Sequence, residues 1–505
     1  MKKNLNYLVP SLGHIVFCII FVVLIIKGQI LLGDGDTGYH IRAGEYILKN
    51  STIPQTDIFS YHDPQLNWTA HEWLAEVIMA IVHIYMDLTG IIIFTSLILA
   101  YTFYRFFRML SYETDNLILV WIFFFFATSC TFLHWLARPH IFSFLFLIFY
   151  YEILIRYESN EKNALLYLPL LMVFWVNLHG GYIIGLVLIG SYFFQNFLNS
   201  YSGDIDKQRN ATKKTKALFF TGMTTFLATM LNPSGYKILL FPFNLIMDEY
   251  LMSHVMEFMP TNIQEQKFFK YFFFFSFAVM ITTKKRPNYL EALLFILFSY
   301  IAFKSVRYTA LFGIVAAPIV LRRLENYFEE YRIKPFQIIN QKGKRIGHVD
   351  KKNKGFIWPT IIVVTTVIIV LSQNIKYNFD SKKYPIEATK FLLKEQIPGN
   401  MFSSDSFGDY LIYAAYPKYK VYFDGRIDMY GAEHCKKYLK ILRIENGWED
   451  IVKDYNIGWF MIKKDSLLSM YLKEKNEWKI IYSDELTSIY VRDSENYKYL
   501  IEKYS

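Results

Sequence analysis

GDGDTGYHIRAGEYILKNSTIPQTDIFSYHDPQLNWTAHEWLAE, residues 33–76, follows directly on an apolar run at 8–32 and precedes another at 87–107. Asp34 and Asp36 are separated by one glycine, which lets the backbone turn tightly enough for both carboxylates to face one hard cation or one basic centre. Asp and Gly at this spacing also make an ordinary turn at a helix N-cap. Placement at the end of a span tips the reading toward function, because ionisable groups at membrane depth are costly and mark sites or water-filled cavities. From Thr37 onward Tyr39, Ala43, Tyr46 and Ile47 recur at helical spacing, so the acidic pair stands at a helix N-terminus, where dipole and carboxylates offset one another. His71 and Glu72 open the stretch 74–86, which is apolar but too short to cross a bilayer and reads as an interfacial helix. They are placed to meet Asp36 across the loop; a capping Glu and a surface His account for them equally well.

Working outward, the composition requires lipid. Of the 505 residues, 53% are hydrophobic and 19% charged, with 46 Phe and 39 Tyr, more apolar surface than one water-soluble core needs. The net charge of +10 sits in short blocks between apolar runs rather than along one face, which argues against a nucleic-acid partner. Cys18, Cys130 and Cys435 offer no disulfide framework to a soluble part. The N-terminal run follows Lys2 and Lys3 as a signal sequence would, but it is long and lacks a small-residue cleavage site, so a retained first span is expected.

Apolar runs of spanning length occur at 8–32, 87–107, 117–136, 141–156, 164–179, 181–198, 217–232, 268–283, 289–303, 309–321 and 357–374, predicting about eleven transmembrane helices. Lys and Arg gather in alternate connections: Lys2/Lys3, Arg105/Arg108, Arg156/Lys162, Lys207 through Lys216, Lys284/Lys285/Arg286 and the stretch from Arg322 to Lys354. Those connections are expected on the cytoplasmic side. The N-terminus is then cytoplasmic, and the first outer loop (33–86) and a C-terminal domain face outward from a multi-pass protein of the cytoplasmic (inner) membrane. Two domains follow: a transmembrane part over 1–375, with a solvated cytoplasmic linker at 322–356, and an extracytoplasmic part over 376–505. The second reads as a small α/β domain, with strand-like runs at 400–403, 420–424, 458–462, 478–482 and 487–491 between helical stretches at 384–396, 408–416, 432–455 and 465–475.

A first span ending in an acidic motif, followed by an outer loop with two interfacial helices, resembles the GT-C superfamily of polyprenyl-phosphate-dependent glycosyltransferases. DTGYHIRAGEYILKN is similar to the DExxY-type opening of aminoarabinose transferases and protein O-mannosyltransferases, and to the DPxxNYR-type opening of oligosaccharyltransferase catalytic subunits. The resemblance implies that Asp36 is the catalytic carboxylate. It places Glu72, in HEW, near the lipid phosphate or a metal. No acidic residue directly follows Asp36, so the second member of the family's acidic pair is supplied by Asp34 or lost. A divalent cation, Mg or Mn, is the implied cofactor, with Asp34, Asp36 and Glu72 as its ligands.

Other polar groups fall on the same outer face. Arg138, in ARPH, suits bidentate clamping of a phosphate, and His140 suits metal ligation or proton transfer; an interfacial Arg reaching headgroups is the plainer alternative. His179 caps a tight turn at NLHGG, Glu257 and His254 lie on a Met- and Phe-rich loop, and Lys304 and Arg307 offer two cations to a phosphate leaving group. In the C-terminal part, SSDSFGDYLIYAAYPKYKVYFDGRIDMYG loosely resembles the acceptor-reading segment of oligosaccharyltransferases. Asp409, Asp424, Arg426 and Asp428 there are candidates for acceptor recognition or for holding the domain on the membrane part. The resemblance implies inverting transfer of a sugar from a polyprenyl-phosphate donor to a lipid, glycan or protein acceptor of the cell envelope. A lipid or glycan flippase, or a non-catalytic envelope-assembly protein, is the competing class.

Overall fold

The computed structural model describes residues 7–161, 164–255, 257–331 and 334–504; Lys2, Lys3 and Lys162 of the charge pattern lie outside them. Its N-terminal, largely apolar part comprises α1 (Leu12–Ile26), α2 (Asp36–Asn50), α3 (Trp73–Glu113), α4 (Leu117–Ser129), α5 (His140–Glu158), α6 (Tyr167–Leu178), α7 (Ile183–Asn199) and α8 (Ile205–Thr229). The connection that follows holds α9 (Lys237–Met247) and α10 (Glu249–His254), and α11 (Lys267–Thr282), α12 (Tyr289–Lys304), α13 (Thr309–Tyr331), α14 (Lys334–Asp350) and α15 (Ile357–Ser372) complete it. Each of the eleven apolar runs falls on one of these helices. Among the described residues three helical stretches, taken singly, are long and apolar enough to cross a bilayer, Trp73–Glu113, His140–Glu158 and Gly180–Asn199; α1, α4, α6 and α15 are shorter apolar helices. Phe125, Phe274, Ile296 and Tyr300 stay exposed on the bundle, as lipid-facing side chains do.

Helix α3 contains a break. Met86 and Asp87 leave helical dihedrals (φ −142°, ψ 16° and φ 49°, ψ −153°), which separates the segment opening at Trp73 from the longer apolar one that follows. The expected interfacial stretch is therefore a helix distinct from the second apolar run. The expected cytoplasmic linker needs correction: α13 continues to Tyr331, and residues 334–350 form the helix α14 rather than a solvated coil. Phe336 stacks on Phe328, and Gly343 lets α14 approach so closely that a Cβ there would lie 1.8 Å from Asn116 Oδ1. A composition rich in Lys, Gly and Asn hid an amphipathic helix with one packed face.

The C-terminal part holds α16 (Ile386–Glu395), β1 (Asn400–Ser403), α17 (Asp405–Ala415), α18 (Ile427–Leu442), α19 (Trp448–Asp454), β2 (Ile457–Lys463), α20 (Leu467–Lys473), β3 (Trp478–Ser483), β4 (Thr487–Arg492) and α21 (Lys498–Tyr504). Its four-stranded sheet has the order β1-β2-β4-β3, with β1 parallel to β2 and the other pairs antiparallel. Two expectations are corrected. The predicted helix at 432–455 is two helices, parted where Gly447 adopts φ 81°. The run at 420–424 does not join the sheet; Val421 instead bridges Ser60 of the first loop, its N–H donating to Phe59 O at 3.0 Å.

That bridge belongs to a wider seam. Helix α2 lies between the first segment of α3 and α17, and a Cβ at Gly38 would meet Tyr413 Cβ at 2.7 Å, so close packing of α2 on α17 depends on that glycine. Arg42 donates from Nε and Nη2 to Tyr413 O at 2.7 and 2.6 Å. Tyr39, Ala43, Phe59 and Trp68 share one apolar core with Phe407, Leu411, Val421 and Trp459. Arg426 is fully buried there, its Nη1 2.8 Å from Asp57 Oδ1, while its Nε and Nη2 donate to Asp424 at 2.8 and 2.7 Å. Phe59 and Trp68 cover its guanidinium at 4.9 and 4.7 Å. Arg426 and Asp424 thus act as a seam between loop and domain.

Candidate active site

Gly33 ends the short 3-10 turn after α1, and Asp34 Oδ1 accepts the N–H of Asp36 at 3.1 Å, the local turn that starts α2. The connection after α4 is laid against this turn: Ala137 N–H donates to Leu31 O at 2.8 Å and Thr37 Oγ1 donates to Ala137 O at 3.0 Å. Both bonds fix the neighbouring Arg138. Its Nη1 lies 2.6 Å from Asp34 Oδ2 and 2.7 Å from Glu257 Oε1, and its Nη2 lies 2.8 Å from Asp36 Oδ2. Glu257 is carried there by its own loop, whose backbone accepts from Ser305 Oγ at 2.7 Å, and Arg307 Nη1 stands 3.6 Å from its other oxygen.

Asp36 is buried, and that burial raises its carboxyl well above the usual range even though Arg138 pulls the other way. For Arg138 burial works against the charge, but Asp34, Asp36 and Glu257 outweigh it and hold the guanidinium firmly protonated. The C-terminal part supplies a further carboxylate. Asp409, on α17, accepts the Gly425 N–H on Oδ1 at 2.8 Å, and a Cβ at Gly425 would lie 2.2 Å from Asp36 Oδ1 and 3.2 Å from Asp409 Oδ1. Only a glycine lets the backbone pass between the two acids. Burial, then the charge of Asp36, pushes the Asp409 carboxyl well above its ordinary range.

Beside this cluster lies a second one around Glu72. His71 Nε2, His179 Nε2 and His40 Nε2 stand 3.6, 3.5 and 3.6 Å from its oxygens. His40 presents Nδ1 to Glu76 Oε1 at 3.2 Å, and His71 presents Nδ1 to Thr69 O at 3.1 Å. His179 Nδ1 accepts the Gly181 N–H at 2.9 Å, which assigns the proton to Nε2, toward Glu72. Burial opposes the charge on His71, yet Glu72 raises it to about 9. Burial likewise opposes the charge on Glu72, and His71 more than offsets it, so Glu72 is ionised. Arg307 Nη2 comes within 3.4 Å of His179 Nε2, which sets the two clusters side by side.

The candidates from sequence therefore divide. Asp34, Asp36 and Arg138 come together, with Asp409 against them; His71, Glu72 and His179 come together, with Arg307 between the groups. Asp428 is half-buried, and its charge acts on His71 and Glu72. His140 is turned aside, its Nε2 donating to His134 O at 2.6 Å, and Lys304 is exposed. Asp424 and Arg426 serve the seam described above. Glu257, expected on the outer face, joins the first cluster, and His40 and Glu76 join the second; Glu76 carries no mark in the sequence beyond the spacing of His71, Glu72 and Glu76 at the start of one helix. Asp34, Asp36 and Glu72 do not form one ligand set, since the first two face Arg138 and the third faces imidazoles. Among the described residues no group of three or more His, Cys, Asp or Glu is arranged to hold a metal ion.

No protein-family model matches the chain, and no curated protein matches it. Solved structures do. The archaeal oligosaccharyltransferase AglB from Archaeoglobus fulgidus, in complex with an inhibitory peptide and a dolichol-phosphate, is similar at 11% identity and a TM-score of 0.56, over 95% of this chain and 74% of that one. The crystal structure of the Archaeoglobus fulgidus oligosaccharyltransferase tethered with an acceptor peptide containing the NVT sequon is similar at 12% identity and a TM-score of 0.54, with the same coverage. At such identities the likeness is one of fold. The chain shares the fold of these structures, mostly helical with a small C-terminal sheet, and its apolar helices give it the character of a membrane protein.

Proposed function

We propose that this chain is a membrane glycosyltransferase that moves a sugar from a polyprenyl-phosphate donor to an acceptor on the outer face of the cytoplasmic membrane, crossing the bilayer about eleven times with its C-terminal α/β domain outside. The observation that supports the proposal is the buried Asp36 carboxyl group, 2.8 Å from Arg138, at the start of the helix that follows the first apolar helix in a fold shared with oligosaccharyltransferases. In this reading Asp36 takes the proton of the acceptor nucleophile. Arg138 stabilises the ionised form of Asp36, and Arg307 and the protonated His71 face the phosphate that departs as charge develops on it. The nucleophile attacks the sugar carbon as the phosphate leaves, a single displacement that inverts the configuration. Glu72 keeps His71 charged, and Asp409 closes the site from the soluble side.

The test is transfer of labelled sugar from a panel of polyprenyl-phosphate sugars by purified protein in lipid, native chain against Asp36→Asn. Loss of a general base lowers turnover about 10²- to 10⁴-fold, and that fall at unchanged folding is the expected result. Equal turnover in both removes Asp36 from the chemistry, and no turnover with any donor favours transport or assembly. Because Arg138 already brings a fixed positive charge to Asp34, Asp36 and Glu257, transfer is expected to persist when a chelator replaces Mg or Mn in the same assay.

A further inference from the structure

Glu152 lies twelve residues past His140 along α5, about 18 Å from the outer cluster at 1.5 Å rise per residue. Here Arg105 of α3, with Glu152 and Arg156 of α5, lines a cavity of about 310 Å³ whose other walls are apolar, among them Phe149, Tyr167 and Leu171. Glu152 pairs with Arg105 through Oε2 and with Arg156 Nη2 through Oε1, the latter at 2.6 Å. Two arginines on one carboxylate leave one net positive charge. The Nε–H groups of both arginines are buried and have no hydrogen-bond partner among the described residues. The two side chains keep 30% and 39% of their surface exposed, and a net positive charge on the wall of an otherwise apolar cavity suits an anionic oxygen from outside the chain.

The surroundings say what carries that oxygen. Arg105 and Arg156 sit at the ends of apolar runs, in two of the alternate connections that carry Lys and Arg. The cavity runs from the guanidiniums onto Phe149 and Leu171, beside the exposed Leu170 and Phe174 of α6. A free anion would satisfy the donors and leave the apolar wall bare. We propose that this cavity is a binding site for one anionic glycerophospholipid, its phosphate on Arg105 and Arg156 and an acyl chain along Phe149 and Leu171. The site is separate from the transfer centre, and the inference does not depend on what that centre does.

The experiment uses full-length protein in detergent, exposed to equal amounts of phosphatidylglycerol and phosphatidylcholine of matched chains, with retained lipid counted by native mass spectrometry. Phosphatidylglycerol is expected to be retained about fivefold over phosphatidylcholine, the preference that one net positive charge gives at an anionic headgroup. The double variant Arg105→Gln, Arg156→Gln brings the ratio to parity. Leu171→Trp, which fills the apolar end without touching the charges, lowers retention of phosphatidylglycerol and serves where the double variant fails to fold. Equal retention of both lipids by the native chain overturns the proposal, as does a preference that survives in a folded double variant or in Leu171→Trp. Inorganic phosphate that stabilises the protein against heat as much as phosphatidylglycerol does assigns the cavity to a free anion and also overturns it.

Discussion

The Oδ2 of Asp36 lies 2.8 Å from Nη2 of Arg138, while Nη1 of the same guanidinium holds Asp34 at 2.6 Å and Glu257 at 2.7 Å. One cation thus serves three carboxylates drawn from two separate loops. Removing it leaves uncompensated negative charge in a largely enclosed place, and Arg138→Gln is expected to destabilise the protein by about 3–5 kcal/mol. Arg138→Lys keeps the charge but not the fork that spans three acids, so stability recovers in part while turnover stays low. Denaturation and sugar transfer measured on both variants check this; a stable, fully active Arg138→Gln protein is the adverse result.

The charge on His71 makes part of the stability dependent on pH. Its ring titrates at about 9 in the folded chain against 6.5 for an unhindered imidazole. A raised value means that the folded state binds the proton more tightly, so the contribution is complete below pH 6.5 and is lost as pH rises through about 9. The amount is about 3 kcal/mol. Melting curves of native protein should fall across that window, and those of His71→Gln should start lower and stay flatter; parallel curves would contradict the assignment.

Arg426 joins Asp57 of the first loop to Asp424 of the C-terminal part under two aromatic faces. Arg426→Ala strands two buried carboxylates and is expected to cost about 3–5 kcal/mol. Arg426→Lys should rescue little, because a point charge neither matches the two-toothed contact with Asp424 nor stacks between Phe59 and Trp68. The readout is proteolysis of the 51–70 segment, which should become rapid in both variants; protection equal to native would show that the seam does not depend on this residue.

The helices were legible because a membrane span writes itself as a long apolar run, and the first loop because its acidic pair follows such a run directly. What was hidden is long-range. Arg138 meets Asp34 across 104 residues and Glu257 across 119, and neither partner carries a local mark of the other. Alternation in KVYFD predicted a strand, but only Val421 pairs, and its partner is Ser60 rather than the sheet, a choice made by the docking of the loop. Residues 334–350 read as linker because their charge masked the helical period that packs Phe336 on Phe328. The carboxylates assigned to one cation parted because Glu72 opens the helix whose first turn faces His40 and His71, while Asp36 opens another that faces Arg138.

Asp409 offers the clearest separation of stability from function. Its carboxyl is raised by burial and by the nearby Asp36, so the folded chain favours the protonated form. The sign follows: stability associated with this proton is complete below the ordinary carboxylate range, and it is lost as pH rises through the elevated folded value. At neutral pH and above, a neutral isostere should therefore be the better occupant. Asp409→Asn keeps an Oδ1 to accept the Gly425 N–H, now at 2.8 Å, and removes the charge that opposes Asp36. Its melting temperature should match native at low pH and exceed it increasingly as pH rises. If Asp409 only shapes the pocket, sugar transfer by Asp409→Asn stays within about threefold of native, well short of the 10²-fold expected of a lost proton carrier. A larger loss of turnover in this more stable variant would place Asp409 in the proton path with Asp36, whereas a melting temperature that drops at neutral pH would show that the acid is held ionised and that the pair is not in competition for charge.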